Sequence, residues 1–133
     1  MTNLNPTVWL TLQAHDAPAL IDYYVRVFGF VVAARYGDGD TVDHAQLNWS
    51  EGAGGIMLGG PRPGSVWSRE PGTAGGYVVV ADPDALYERV CGHQADIVRP
   101  LAKTDYGARE FAVRDPEGNL WSFGDYPGEP TPA

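Results

Sequence analysis

The second half of this chain repeats the pattern of the first. Asp16 and Asp82 each precede a helical run, Ala19-Leu20 is echoed by Ala85-Leu86, Leu47 by Ala112 and Leu58 by Phe123, at offsets of 65 or 66 residues. A pattern that recurs at a fixed period builds the same supersecondary unit twice, and the copies must then bury each other's apolar faces. Whatever fold the first copy adopts, the second has to adopt again.

In the first copy, residues 7–13 alternate as a strand does, with Val8, Leu10 and Leu12 on one face and Trp9, Thr11 and Gln13 on the other. Asp16 reads as a helix N-cap with Pro18 in the first turn. Leu20, Tyr23, Tyr24, Val27 and Phe28 follow at helical spacing until Gly29 stops the helix. Strands are predicted over 30–36, 42–49 and 56–58. In the second copy 76–81 is a strand, and Asp82-Pro83 opens a helix whose apolar face holds Leu86, Tyr87, Val90 and Cys91. Strands over 95–99, 109–114 and 119–124 complete it.

The expected class is α+β. A single domain spanning 1–133 contains two tandem βαβββ units, residues 7–59 and 76–126, joined by a linker over 60–75 that carries Pro61, Pro63, Pro71 and several glycines. A unit of about 60 residues cannot cover both faces of a four-stranded sheet by itself. Pairing the two sheets into one curved half-barrel, with both helices outside, resolves the problem and turns the concave side into a pocket of strand residues.

Composition narrows the partners. Nine Lys and Arg stand against 17 Asp and Glu, a formal charge of −8, and Lys103 is the single lysine. With no basic run, a nucleic-acid partner is not expected. An acidic protein suits cationic small molecules, although such a charge also serves solubility. One cysteine, Cys91, excludes an intrachain disulfide and a Cys-based zinc cage. No apolar run reaches the ~20 residues that span a bilayer, and the first six residues have neither the charged nor the apolar region of a secretion signal. A cytoplasmic protein with no membrane partner is expected.

Two stretches are specific enough to carry a resemblance. One is Val27-Phe28-Gly29-Phe30 at the end of the first helix; the other runs from Tyr106 to Asn119, where Arg109-Glu110-Phe111 precedes Asp115-Pro116-Glu117-Gly118-Asn119. On these, from about Thr7 to Tyr126, the chain resembles the vicinal oxygen chelate superfamily, which includes glyoxalase I, fosfomycin-resistance enzymes, extradiol dioxygenases and bleomycin-resistance proteins. It is most similar to the bleomycin-resistance type. The resemblance implies the paired βαβββ fold. It also implies that metal-dependent relatives place four His, Glu or Gln ligands on the concave face, at positions matched here by Trp9, Met57, Gly75 and Ser122. Gly has no side chain, Trp offers no accessible nitrogen lone pair, and Met is too soft for Mg or Mn. The superfamily's metal chemistry is therefore not expected, and no cofactor is assigned.

Strand alternation gives the pocket lining. The first unit supplies Trp9, Thr11, Gln13, His44, Gln46, Asn48 and Met57; the second supplies Tyr77, Val79, Phe111, Val113 and Ser122; Trp67 and Tyr106 sit in loops over the mouth. Flat apolar walls with a few directed polar groups suit a medium-sized organic ligand. Trp and Tyr faces stack on rings or hold cations, each contact worth on the order of 1 kcal/mol. Trp9 and Phe111 serve equally well as filling for a curved sheet. His44, which aligns with Arg109, is either a ligand or acid/base contact or a strand histidine bonded to a neighbour. Trp121 falls on the helix side, Glu110 on the phase opposite the pocket, and Cys91 reads as a packed hydrophobe. Asp38, Asp40 and Asp43 lack the later Glu of a calcium loop.

These residues lead to a metal-independent protein that sequesters an aromatic or cationic, antibiotic-like compound. By resemblance it is a homodimer whose grooves are shared between subunits. The alternative is a metal-dependent lyase, isomerase or dioxygenase of the glyoxalase type with a relocated metal site, or acid/base catalysis by His44 with Glu110 or Tyr106. No residue pair in the sequence compels a catalytic assignment.

Overall fold

The same helix start is built twice. Asp16 accepts from the Ala19 N–H at 3.1 Å and Asp82 from the Ala85 N–H at 3.1 Å, each with a proline in the first turn. The two caps lie 66 residues apart. A computed structural model describes residues 5–133. The first unit contains β1 (Leu10–Gln13), α1 (Ala17–Tyr23), β2 (Val31–Tyr36), β3 (His44–Asn48) and β4 (Gly55–Gly59). The second contains β5 (Gly75–Val79), α2 (Pro83–Gly92), β6 (Asp96–Lys103), β7 (Arg109–Arg114) and β8 (Leu120–Gly124). Their sheets have equivalent orders, β1-β4-β3-β2 and β5-β8-β7-β6, and in each the first strand pairs parallel with the last. The fold is α+β and open, with no closed barrel. Edge strands β1 and β5 meet where Gly76 leaves room for Leu10: a Cβ there would come within 3.4 Å of the leucine Cδ2. Among the described residues no ladder joins the two sheets.

The helices cover one face of each sheet. Ala45, Leu47, Ile56 and Leu58 are buried on the first, and Phe111, Val113, Trp121 and Phe123 on the second, within one continuous apolar cluster. α1 continues into a π-helical turn, Tyr24–Phe28, before Gly29 ends it at φ 92°, the left-handed value glycine adopts without strain. This turn carries Tyr24 and Phe28 into the other unit, with ring centroids 5.3 Å from Trp121 and 4.8 Å from Phe123.

Carboxylates tie the units together at matching places. Glu51, in the β3–β4 connection, accepts from the Ala81 N–H at 2.8 Å; 66 residues on, Glu117 accepts from the His15 and Asp16 N–H groups at 2.7 and 2.9 Å. The β7–β8 turn is organised by buried Asp115. One of its oxygens takes the Tyr24 hydroxyl at 2.6 Å, the Asn119 amide at 2.9 Å and the Trp121 indole N–H at 3.1 Å; the other takes the N–H groups of Glu117 and Asn119.

Three expectations are corrected. Residues 49–54 connect β3 to β4, whereas 115–119 connect β7 to β8, one residue fewer. Leu47 therefore corresponds to buried Val113, not Ala112, and His44 to Glu110, not Arg109. Because side chains alternate along a strand, that slip of one moves Phe111 and Val113 from the predicted pocket to the helix-covered core. Cys91 is exposed, because it lies beside the buried stripe of Leu86 and Val90. Trp121 is buried, as its phase requires. Among the described residues no helix is long and apolar enough to cross a membrane.

Candidate functional site

The uncovered face of each sheet gathers many of the side chains expected to line a pocket. On the first sheet, Thr11 pairs with Met57 and Met57 with Gln46, forming a row across β1, β4 and β3. His44 and Asn48 share that face, and half-buried Trp9 precedes β1. Asn48 accepts from the Gln46 amide at 2.9 Å, and the His44 ring lies nearly parallel to Tyr36 at 6.3 Å. A depression of about 280 Å³ opens here, bounded by Thr11, Met57, Arg62, Trp67 and Arg69 among others.

Gln13 is committed differently from its neighbours. Only 8% exposed, it donates to the Trp67 carbonyl at 2.7 Å and accepts from the Arg69 N–H at 2.6 Å. Its amide straps the connection between the units across the open face, and so positions Trp67, which is 68% exposed.

On the second sheet, Tyr77 pairs with Ser122 and Ser122 with Ala112. A depression of about 370 Å³ has a floor of small residues, Gly75, Gly76, Ala112 and Ser122, with Val98 and Leu120 beside it. Adjacent to it stands a carboxylate that the sequence reading put on the wrong face. Glu110, 4% exposed, accepts from the Tyr77 hydroxyl at 2.9 Å and the Tyr106 hydroxyl at 2.6 Å, and lies 3.6 Å from Arg99. Arg99 also donates to the Ser122 hydroxyl at 3.3 Å. Gly124 opposite is required, because a Cβ there would collide with Glu110 Cγ and the Tyr77 hydroxyl. Burial, then the hydrogen bond to Glu110, raises the Tyr77 phenol above its ordinary value; for Tyr106 the bond to Glu110 is the leading cause. A phenolate beside a buried carboxylate is disfavoured, so both remain hydroxyl donors.

The side on which Glu110 lies is encoded in the alternation of its own strand. Phe111 and Val113 are the bulky apolar members of their strand, and plain alternation sends them to the core and Glu110 and Ala112 to the other side. His44 lies on β3 of the first sheet, Glu110 on β7 of the second and Tyr106 in the loop before β7, and the hydroxyls bonded to Glu110 are those of Tyr77 and Tyr106.

The positions matching the superfamily's metal ligands do not form a cation site. Trp9, Met57, Gly75 and Ser122 present an indole, a thioether, no side chain and one hydroxyl, a donor set that does not fit a catalytic divalent ion. Among the described residues no three His, Cys, Asp or Glu side chains are grouped to hold a metal.

Comparison with known proteins places the geometry. The Glyoxalase/Bleomycin resistance protein/Dioxygenase superfamily profile matches residues 7–123. An uncharacterized protein from Mycobacterium bovis is 30% identical over 130 residues, covering 92% of this chain and 84% of its own length. TioX from Micromonospora sp. ML1 has a similar structure, with a TM-score of 0.76 and 32% identity over 90% of this chain and 98% of its own. TnmS3, described as an antibiotic binding protein from Streptomyces sp. CB03234, has a TM-score of 0.72 at 19% identity, covering 92% of this chain and 97% of its own, and is alike in fold.

Proposed function

Because the chain belongs to the glyoxalase/bleomycin resistance protein/dioxygenase superfamily, we propose that it uses this scaffold as a metal-independent binding protein that sequesters an aromatic, antibiotic-like small molecule. One observation carries the reading: the four positions where metal-dependent members hold ligands are Trp9, Met57, Gly75 and Ser122, while the surrounding open faces keep aromatic side chains and directed hydrogen-bonding groups. Aromatic walls with a few directed polar groups, and no ion-binding side chains at the four ligand positions, suit the binding of an organic molecule. Trp67, Tyr77 and Tyr106 are exposed around these faces and offer rings for stacking. TnmS3 supports the reading at the level of fold, since a scaffold of this kind is described as binding an antibiotic.

The proposal includes a homodimer. Val31 on the first sheet and Tyr77, Val79 and Leu120 on the second are exposed on the uncovered faces, and a second copy laid against them encloses a groove between subunits.

Elemental analysis of purified protein, repeated after incubation with Ni, Zn, Mn and Fe(II) and desalting, tests the metal-independent reading. The expected result is no stoichiometric metal, together with quenching of Trp fluorescence by a panel of planar aromatic antibiotics that survives chelator treatment. About one metal per chain, lost in His44→Ala, would replace the binding protein with a metalloenzyme.

A further inference from the structure

Resting on the binding reading above, we infer that the ligand presents a hydrogen-bond acceptor to these faces: a carboxylate, phenolate or conjugated carbonyl attached to its ring system. The net charge of −8 points the other way, toward a cation. The distribution of charge reverses that sign locally. Arg62 and Arg69 line the depression on the first sheet and Arg99 the one on the second, three of the eight arginines, and no Asp or Glu lines either.

The way these arginines are held strengthens the argument. Arg62 donates to the Asp43 carbonyl, and Arg69 to the carbonyls of Val66 and Ser68 at 3.2 and 2.9 Å. Backbone carbonyls fix a guanidinium's direction without neutralising it. Among the described residues neither arginine has a carboxylate within 4 Å; the ion pairs are made by Arg26, Arg99, Arg109 and Arg114. Gln13 anchors the connecting segment at Trp67 and Arg69, so Arg69 sits on a strapped loop, while Arg62 is tied to the Asp43 carbonyl.

Arg99 does have an acidic partner, but the pair is lopsided. Glu110 is buried and already accepts hydrogen bonds from two phenol hydroxyls, whereas the Arg99 side chain is 57% exposed. A guanidinium carries five N–H donors and no acceptor. A ligand therefore meets the donor half of the pair and is kept from the acceptor half. The floor of glycine, alanine and serine beside it accepts a flat ring, whose acceptor substituent then falls at the guanidinium edge. Long-range repulsion by the acidic protein does not decide the matter, since it is screened over about 8 Å at physiological ionic strength and contact distances are shorter.

The test uses three naphthalene probes of one shape: naphthoate, naphthylmethylammonium and the neutral naphthalenemethanol. Binding is followed by amide shifts in the wild-type protein, in Arg99→Gln, in Arg62→Gln/Arg69→Gln/Arg99→Gln, and in Arg26→Gln, which lies outside both depressions. Naphthoate is expected to bind the wild type about tenfold more tightly than the ammonium probe, as charge-assisted hydrogen bonds allow. The triple variant should bring the two within about threefold, with Arg99→Gln intermediate and Arg26→Gln unchanged. Tighter binding of the ammonium probe, or a charge order that survives in the triple variant, overturns the inference while leaving the binding reading intact. So does binding of the neutral probe alone. Failure of all three removes the binding reading and this inference with it. Should the triple variant not fold, the charge order in the wild type and in Arg99→Gln remains decisive.

Discussion

Tyr24 is the residue at which the two units depend on each other most directly. Its ring is fully buried, stacked on Phe28 at 5.7 Å and edge-on to Trp121, and its hydroxyl donates to Asp115 across the unit boundary. Burial first, and then the Asp115 charge, hold this phenol far above its ordinary value of 10.0. Tyr23 is pushed up to about 12, again chiefly by burial. The folded chain thus keeps both phenols protonated at a pH where the unfolded chain ionises them. Their contribution to stability is complete below pH 10 and is lost as the pH rises above it. Tyr24→Phe should cost about 2 kcal/mol near neutrality, the usual scale for a buried hydrogen bond to a charged group, because Asp115 loses one of five donors. Urea unfolding at neutral and alkaline pH checks both parts: the variant should be less stable at neutrality and lose less stability above pH 10. Equal stabilities at neutrality would show that the hydroxyl contributes nothing across the boundary.

Among the elements, the connection between the units behaves as a held strap rather than a slack tether. Gln13 is its fastening, so Gln13→Ala should release the segment around Trp67 and Arg69. Faster amide exchange at those positions and lower Trp fluorescence anisotropy are expected, with a loss of about 1–2 kcal/mol in stability for two neutral hydrogen bonds. Unchanged exchange there would mean that the strap is held elsewhere. The helix caps, the Gly29 stop and the succession of strands and helices along the chain were readable in the sequence because each is set by neighbouring residues. Two other features were not. The π-helical turn at Tyr24–Phe28 owes its form to packing against Trp121 and Phe123, which helical spacing does not encode. The faces of β7 were inverted because the turn before β8 is one residue shorter than its counterpart. A count made on the conspicuous residues at either end spreads that deletion over the wrong strand, and a period of two leaves no partial error. Glu110 was assigned to the side opposite the pocket for the same reason that Phe111 was assigned to the pocket.

For the whole molecule, the proposed homodimer puts the uncovered faces at the contact between subunits. Sedimentation of the wild type is expected to give twice the chain mass, and Val79→Glu/Leu120→Glu to give the single-chain mass with the fold retained, since both side chains are exposed in one chain. A wild type that sediments as a single chain, at concentrations where the ligand binds, would remove the shared groove. The matched carboxylate struts, Glu51 on Ala81 and Glu117 on His15 and Asp16, keep the 66-residue echo together with the two aspartate caps. Across the open faces the echo has faded: Thr11 corresponds to Tyr77, Gln46 to Ala112 and Met57 to Ser122. Under the proposed function, the instructions for folding and those for recognition are thus written on opposite sides of the same strands. Inheritance can rewrite one text without erasing the other, and a library randomised at Thr11, Gln46, Met57, Ala112 and Ser122 would search for new cargo on a frame whose joints it never touches.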